Sequence, residues 1–138
     1  MPRRRMVMEL GMGVDIRGRD ATEAACRAVE NAIRQNSLSV ADAFGLAREQ
    51  MLITAIIGVQ APDEVDVAAV AALFPYGQVA VEVRHGGMDA PGNEGTTGPT
   101  LANAVVLVDL DLPEDHPALD AGQTRREFAV PEPGGTAA

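Results

Sequence analysis

The chain of 138 residues has no tryptophan and no lysine, and only one cysteine and one tyrosine. Each shortage removes a class of function. Tyr76 and three phenylalanines, Phe44, Phe74 and Phe128, are the whole aromatic complement, too few for a platform on which unstacked bases would lie. Without lysine the chain can form neither a Schiff base nor a Ser-Lys dyad from its own side chains. Cys26 alone allows no intrachain disulfide and argues against thiolate metal sites. No apolar run reaches the ~20 residues of a membrane span. The Arg3-Arg4-Arg5 cluster leads into a strand-like segment containing Glu9, not into the apolar core of a signal peptide. Positive charge is scarce too: a formal net charge of −9 opposes binding to a polyanion, which needs clustered cations. The expectation is a cytoplasmic protein without nucleic-acid or membrane partners and without a cofactor, its arginine cluster lying at a mobile end.

The apolar residues present are mostly Ala, Val, Leu and Met, and the length fits one domain with one core. From Met6 to Gly13, Met6, Met8, Leu10 and Met12 alternate with Val7, Glu9, Gly11 and Gly13, the period of a half-buried strand. Asp20 to Glu23 has capping-box spacing, which predicts a helix to about Asn36 with Ala25, Cys26, Val29, Ala32 and Ile33 inward. Ser37–Gln50 reads as a connector holding one helical turn. Met51–Val59 is apolar on both alternating sets, as in a strand covered on both sides. Asp66 caps a short helix ending before Phe74-Pro75-Tyr76-Gly77. Gln78–His85 alternates again, with Val79, Val81 and Val83 inward. A glycine-rich loop over Gly86–Thr100 precedes a last strand, Ala102–Leu110.

The elements read strand, helix, strand, helix, strand, strand. This predicts a single α+β domain over residues 1–111: a four-stranded mixed sheet with two helices on one face. Residues 112–138 are acidic and rich in Pro and Gly, and read as a flexible tail. Two helices cover one face only, yet the second and fourth strands are apolar on both. The uncovered face is therefore expected to lie in an interface with further copies of the chain.

Polar residues cluster at two places. Asp15, Arg17, Arg19 and Asp20 crowd the turn into the first helix, where an anion would be favoured. Asp20 is explained by capping alone, and Asp15 by pairing with Arg17 or Arg19. Arg84-His85-Gly86-Gly87 ends the third strand. Arg84 alternates away from the valines, toward the expected interface, and His85 is the residue type that serves as a general acid or base near neutral pH. Glu94 lies in the loop, and Asn103 interrupts an apolar strand, either to anchor that loop or to orient a ligand. Asp15, His85 and Glu94 lack the spacing of a metal-ligand set.

The segments ELGMGVDIRGRDATEAACRAVENAI, PYGQVAVEVRHGG and LANAVVLVDL resemble a family of short bacterial proteins known as a conserved hypothetical family, over roughly Met6 to Leu110. Its most distinctive feature is the G-x-G-x-D-x-x-G-x-D-x-T run; members commonly carry Lys where this chain has Glu23. The element order also resembles trimeric chorismate mutases, trimeric reactive-intermediate deaminases and the C-terminal domain of tubulin-like proteins. It is similar, too, to the repeated units of cyanuric acid hydrolase and barbiturase. The resemblance implies a trimer or a multiple of one, with ligands held between subunits or units by arginines and backbone amides.

Together these readings predict a homo-oligomer that binds a small polar or anionic metabolite between subunits. Arg84, Arg17, Gly86, Gly87 and Asn103 would hold the ligand. His85, Asp15 and Glu94 would carry noncovalent acid/base chemistry, such as isomerisation, dehydration or amide hydrolysis. The rival reading is a non-catalytic assembly or ligand-sensing module.

Overall fold

The computed structural model describes residues 3–34 and 40–116. Chain order runs β1 (Arg3–Asp15), α1 (Ala21–Arg34), α2 (Val40–Ala43), a 3₁₀ turn, β2 (Leu52–Val59), a second 3₁₀ turn, α3 (Val67–Ala71), β3 (Gln78–His85), β4 (Met88–Asp89) and β5 (Thr100–Asp111). The sheet order is β1-β5-β2-β3. β5 is antiparallel to both neighbours, and β2 and β3 are parallel. The mixed α+β sheet expected from periodicity is present. It gains a two-residue fifth strand, because β4 forms inside the supposedly structureless loop and pairs with the start of β5 beyond the end of β2. The expected tail past His116 lies outside the described residues, while Leu112, assigned to it by composition, is fully buried.

The arginine cluster is not a loose end. Arg3, Arg4 and Arg5 are strand residues opposite Asp111, Leu110 and Asp109. Arg5 and Arg3 reach Asp109 and Asp111 at 3.6 and 4.0 Å.

α1 begins as the capping pattern requires: Asp20 Oδ1 accepts the Glu23 N–H at 3.1 Å. It lies unusually close to β1. A Cβ on Gly11 would sit 2.8 Å from the Ala32 Cβ, and one on Gly13 would sit 2.7 Å from the Arg27 carbonyl carbon. Only glycine lets two backbones approach in this way. The close approach also decides which face of the helix is inward. Ala21, Ala24, Ala25, Ala28, Val29 and Ala32 are buried, whereas Cys26 and Ile33, expected inside, flank the seam half-exposed. Only methyl-sized side chains fit between the elements. α3, capped by Asp66 Oδ1 on the Ala68 and Ala69 amides, packs beside α1 and over β3. Beneath them lie Ile53, Ala55, Ile57, Val59, Ala104, Val106, Val108 and Leu110.

The outer edge of β1 is closed by the same helix. Asn31 Oδ1 accepts the Met12 N–H at 3.0 Å, and Arg27 Nη1 donates to the Val14 carbonyl at 2.6 Å. α1 and α3 lie on one side, leaving the other side of the sheet bare of helix among the described residues, although Leu107 and Asp109 on it are buried. Paired residues share a face, and the bare rows read Met8–Leu107–Thr54–Ala80, then Leu10–Val105–Ile56–Glu82, then Met12–Asn103–Gly58–Arg84. Leu10 is 68% exposed and Met8 60%.

Candidate functional site

The polar corner of this bare face forms where β3 crosses over the end of β2 to reach β5. Gly86 N–H donates to the Val59 carbonyl at 2.9 Å, and the chain then turns at Gly87 with φ +60°. A side chain on Gly87 would run into the Leu101 carbonyl and come within 3.0 Å of the Gly58 oxygen, so both φ and space demand glycine here. Two amide side chains hold the crossing. Gln60 Nε2 donates to the Gly86 and Gly87 carbonyls at 2.9 and 3.3 Å, and Asn103 Oδ1 accepts the Gly87 N–H at 3.0 Å. With Oδ1 engaged, the Asn103 NH₂ is left as a donor.

Gly58 stands between Asn103 and Arg84 in register. Having no side chain, it lets the Gly86–Gly87 crossing lie directly against it: a Cβ there would sit 3.4 Å from the Gly86 Cα, 3.5 Å from the Gly87 nitrogen and 3.6 Å from Asn103 Oδ1. Arg84 Nε donates to Glu82 Oε1 at 2.7 Å. That contact pulls the Glu82 carboxyl down and pushes Arg84 up, in both cases chiefly through the hydrogen bond itself. Next to this corner opens an apolar cleft of about 200 Å³, lined by Val14, Met88, Ala90, Pro99, Thr100 and Leu101. Its wall is fixed from behind. Thr100 Oγ1 donates to Asp89 Oδ1 at 2.5 Å, and Arg19 reaches Asp89 at 3.7 Å and the Gly98 and Ala90 carbonyls at 3.0 Å each.

The structure thus brings together Arg84, Gly86, Gly87 and Asn103, four of the residues expected to bind. It does not gather the others. Asp15 is buried and engaged, its Oδ2 accepting the Asp20 N–H at 2.8 Å and its Oδ1 lying 3.4 Å from Arg27, the arginine that takes the partner role foreseen for Arg17 or Arg19. His85 follows the valines onto the helix side by strand alternation, opposite to Arg84. Arg17 and Glu94 are exposed, in the turn before α1 and in the loop before β5. His116 rests against Phe44, ring centres 6.0 Å apart. Sequence reasoning missed Gly58, Gln60, Arg19 and Asp89 as builders of the corner. The signal for the first two was present: a glycine breaks the apolar run of β2, and a glutamine follows it directly.

No metal-ligating group of three or more His, Cys, Asp or Glu occurs among the described residues. Nor is any helix among them long and apolar enough to cross a membrane.

Comparison with known proteins gives two matches. The model of a conserved hypothetical protein family, Lin0512_fam, covers residues 5–109. The crystal structure of an FtsZ-like protein of unknown function from Nostoc punctiforme PCC 73102 is similar, at 35% identity and a TM-score of 0.74, covering 81% of this chain and 99% of that one. None of the curated proteins matches the chain. With nearly all of its sheet, its glycine corner and most of its core inside the matched span, the chain belongs to the Lin0512 family of conserved hypothetical proteins.

Proposed function

We propose that this protein is a homo-oligomeric binding module, in which the bare sheet face packs against a second copy and the polar corner at Asn103 and Arg84 receives a small polar or anionic metabolite between them. The carrying observation is the composition of that face. Three cations, Arg3, Arg5 and Arg84, balance three anions, Glu82, Asp109 and Asp111, around an apolar centre. The whole chain carries −9, so this neutral face is where two copies approach without repulsion. Strands about 4.8 Å apart, of eight or more residues each rising about 3.3 Å, give the face roughly 500 Å² in projection. Side-chain relief brings that near the ~800 Å² per partner of a stable interface.

Binding without turnover fits the division of the expected site. Four of the five residues expected to hold the ligand lie together, Arg17 being the exception, while His85 and Asp15 lie on the helix side. Acid/base catalysis would require both to share the face that holds Arg84.

The test is analytical ultracentrifugation of the full chain across a wide concentration range, beside Leu10→Arg. The wild type should sediment as an oligomer and the variant as a folded monomer with an unchanged circular dichroism spectrum. A wild type that stays monomeric throughout overturns the assembly.

A further inference from the structure

We propose that the ligand of the corner is an amphipathic monocarboxylate, its carboxylate on Asn103 and Arg84 and its apolar body in the neighbouring cleft. This rests on the binding reading above and goes on to name the chemical class of the ligand. The cleft and the polar corner lie on the same face. Val14 opposes Leu101 and Met88 opposes Leu101, so these three side chains form the row next to Met12–Asn103–Gly58–Arg84. Neighbouring rows on one face are two residues apart, about 6.6 Å along a strand. That is the distance from a carboxylate carbon to the far side of a six-membered ring or a short alkyl chain.

Each half selects one part of the molecule. In the corner the charge-bearing donor is Arg84, whose Nε alone is taken by Glu82; its two Nη groups remain to form a fork that matches a carboxylate. The Asn103 NH₂ adds a neutral donor beside it. The cleft is lined by aliphatic groups and a proline, with Thr100 Oγ1 turned away to Asp89. A polar body placed there would lose its water without gaining a partner. A water occupies about 30 Å³ of liquid, so a cleft of about 200 Å³ takes six or seven heavy atoms. Met12 and Met88, 57% and 64% exposed, flank the two halves, and methionine's unbranched chain adapts to ligands of differing outline. A phosphate monoester or a dicarboxylate would bring a second charge for which the corner has no second cation.

The experiment is a titration of the isotope-labelled full-length protein, followed by amide NMR, with benzoate, acetate, benzyl alcohol and inorganic phosphate as separate probes. Benzoate should shift the Gly58, Gly87, Leu101 and Met88 amides and the Asn103 side-chain amide along one saturable curve. Acetate, lacking the body, and benzyl alcohol, lacking the charge, should each bind at least about tenfold more weakly. Arg84→Gln, at an exposed position, should fold normally and lose benzoate by a similar factor. If benzoate binds no better than acetate, or if phosphate saturates these amides and benzoate does not, the monocarboxylate assignment is wrong while small-anion binding stands. If none of the probes moves the corner amides, ligand binding at this corner falls with it. Ultracentrifugation reports the assembly independently.

Discussion

Replacing Gly11 by alanine tests the closeness of α1 to β1, on which the fold depends. The new methyl would lie 2.5 Å from the Ala32 nitrogen and 2.8 Å from its Cβ, and would run into the Ala28 carbonyl. These obstacles are mostly backbone, so no rotamer change relieves them. The helix must move away from the strand by about 1 Å, a gap at which a dispersion contact already loses up to half its well depth. The loss is felt along the whole alanine seam, from Ala24 to Ala32. Overpacking of this kind costs about 1–3 kcal/mol, and the rigidity of both partners places Gly11→Ala at the upper end. Restricting the unfolded chain returns about 0.5–1 kcal/mol, which leaves a net loss of roughly 2 kcal/mol. With a urea m-value of about 2 kcal/mol/M, the midpoint should fall by about 1 M at fixed protein concentration and unchanged m. Gly58→Ala is the matched control, since its methyl would meet nothing nearer than the Gly86 Cα at 3.4 Å. Equal midpoints for the two variants would refute the reasoning.

Three further outcomes follow from contacts described above. Glu82→Gln removes the carboxylate that competes for Arg84, so benzoate should bind severalfold more tightly in the NMR titration with the urea midpoint unmoved. Arg19 sits at φ +50° and anchors three points of the β4–β5 connection. Arg19→Ala should cost about 1–2 kcal/mol and accelerate hydrogen exchange at the Ala90 amide, while Arg19→Gly, free of the left-handed penalty, should be about 1 kcal/mol more stable than Arg19→Ala. Burial first, then Glu23, Glu30, Asp20 and Asp66, push the Cys26 thiol up. Its contribution is therefore whole below an unfolded thiol pKa of about 8.5 and lost as pH rises through the higher folded value. Wild type should lose stability relative to Cys26→Ser above that pH, and iodoacetamide should alkylate native Cys26 more slowly than the unfolded thiol.

Local signals in the sequence were sufficient where local physics decides. The alternation over Gln78–His85 places β3 to the residue, and Asp20 and Asp66 cap as their spacing requires. What escaped depends on distant partners. Arg3–Arg5 become strand only because Asp109–Asp111 lie opposite, about a hundred residues away. The inward face of α1 is turned toward Ala21, Ala24 and Ala28 because Gly11 and Gly13 admit nothing larger. At the corner, Arg84, Gly86, Gly87 and Asn103 were legible because glycine, arginine and asparagine stood out against apolar strands. His85 and Asp15 were grouped with them by chemistry alone. Alternation separates His85 from Arg84, and the α1 turn engages Asp15 through the Asp20 amide.

The closed outer edge of β1 has a consequence for how far copies can add to one another. A strand laid along Met12–Val14 would first have to displace Asn31 and Arg27 from the very groups it needs, and along the other half it would meet three consecutive arginines. A continuous intermolecular sheet grows only while each copy offers two open edges, and here one is defended toward both ends, over Arg3–Arg5 and Met12–Val14. Pairing through the remaining β3 edge would join two copies and stop. Growth by strand addition is thus closed off, and the species formed is finite.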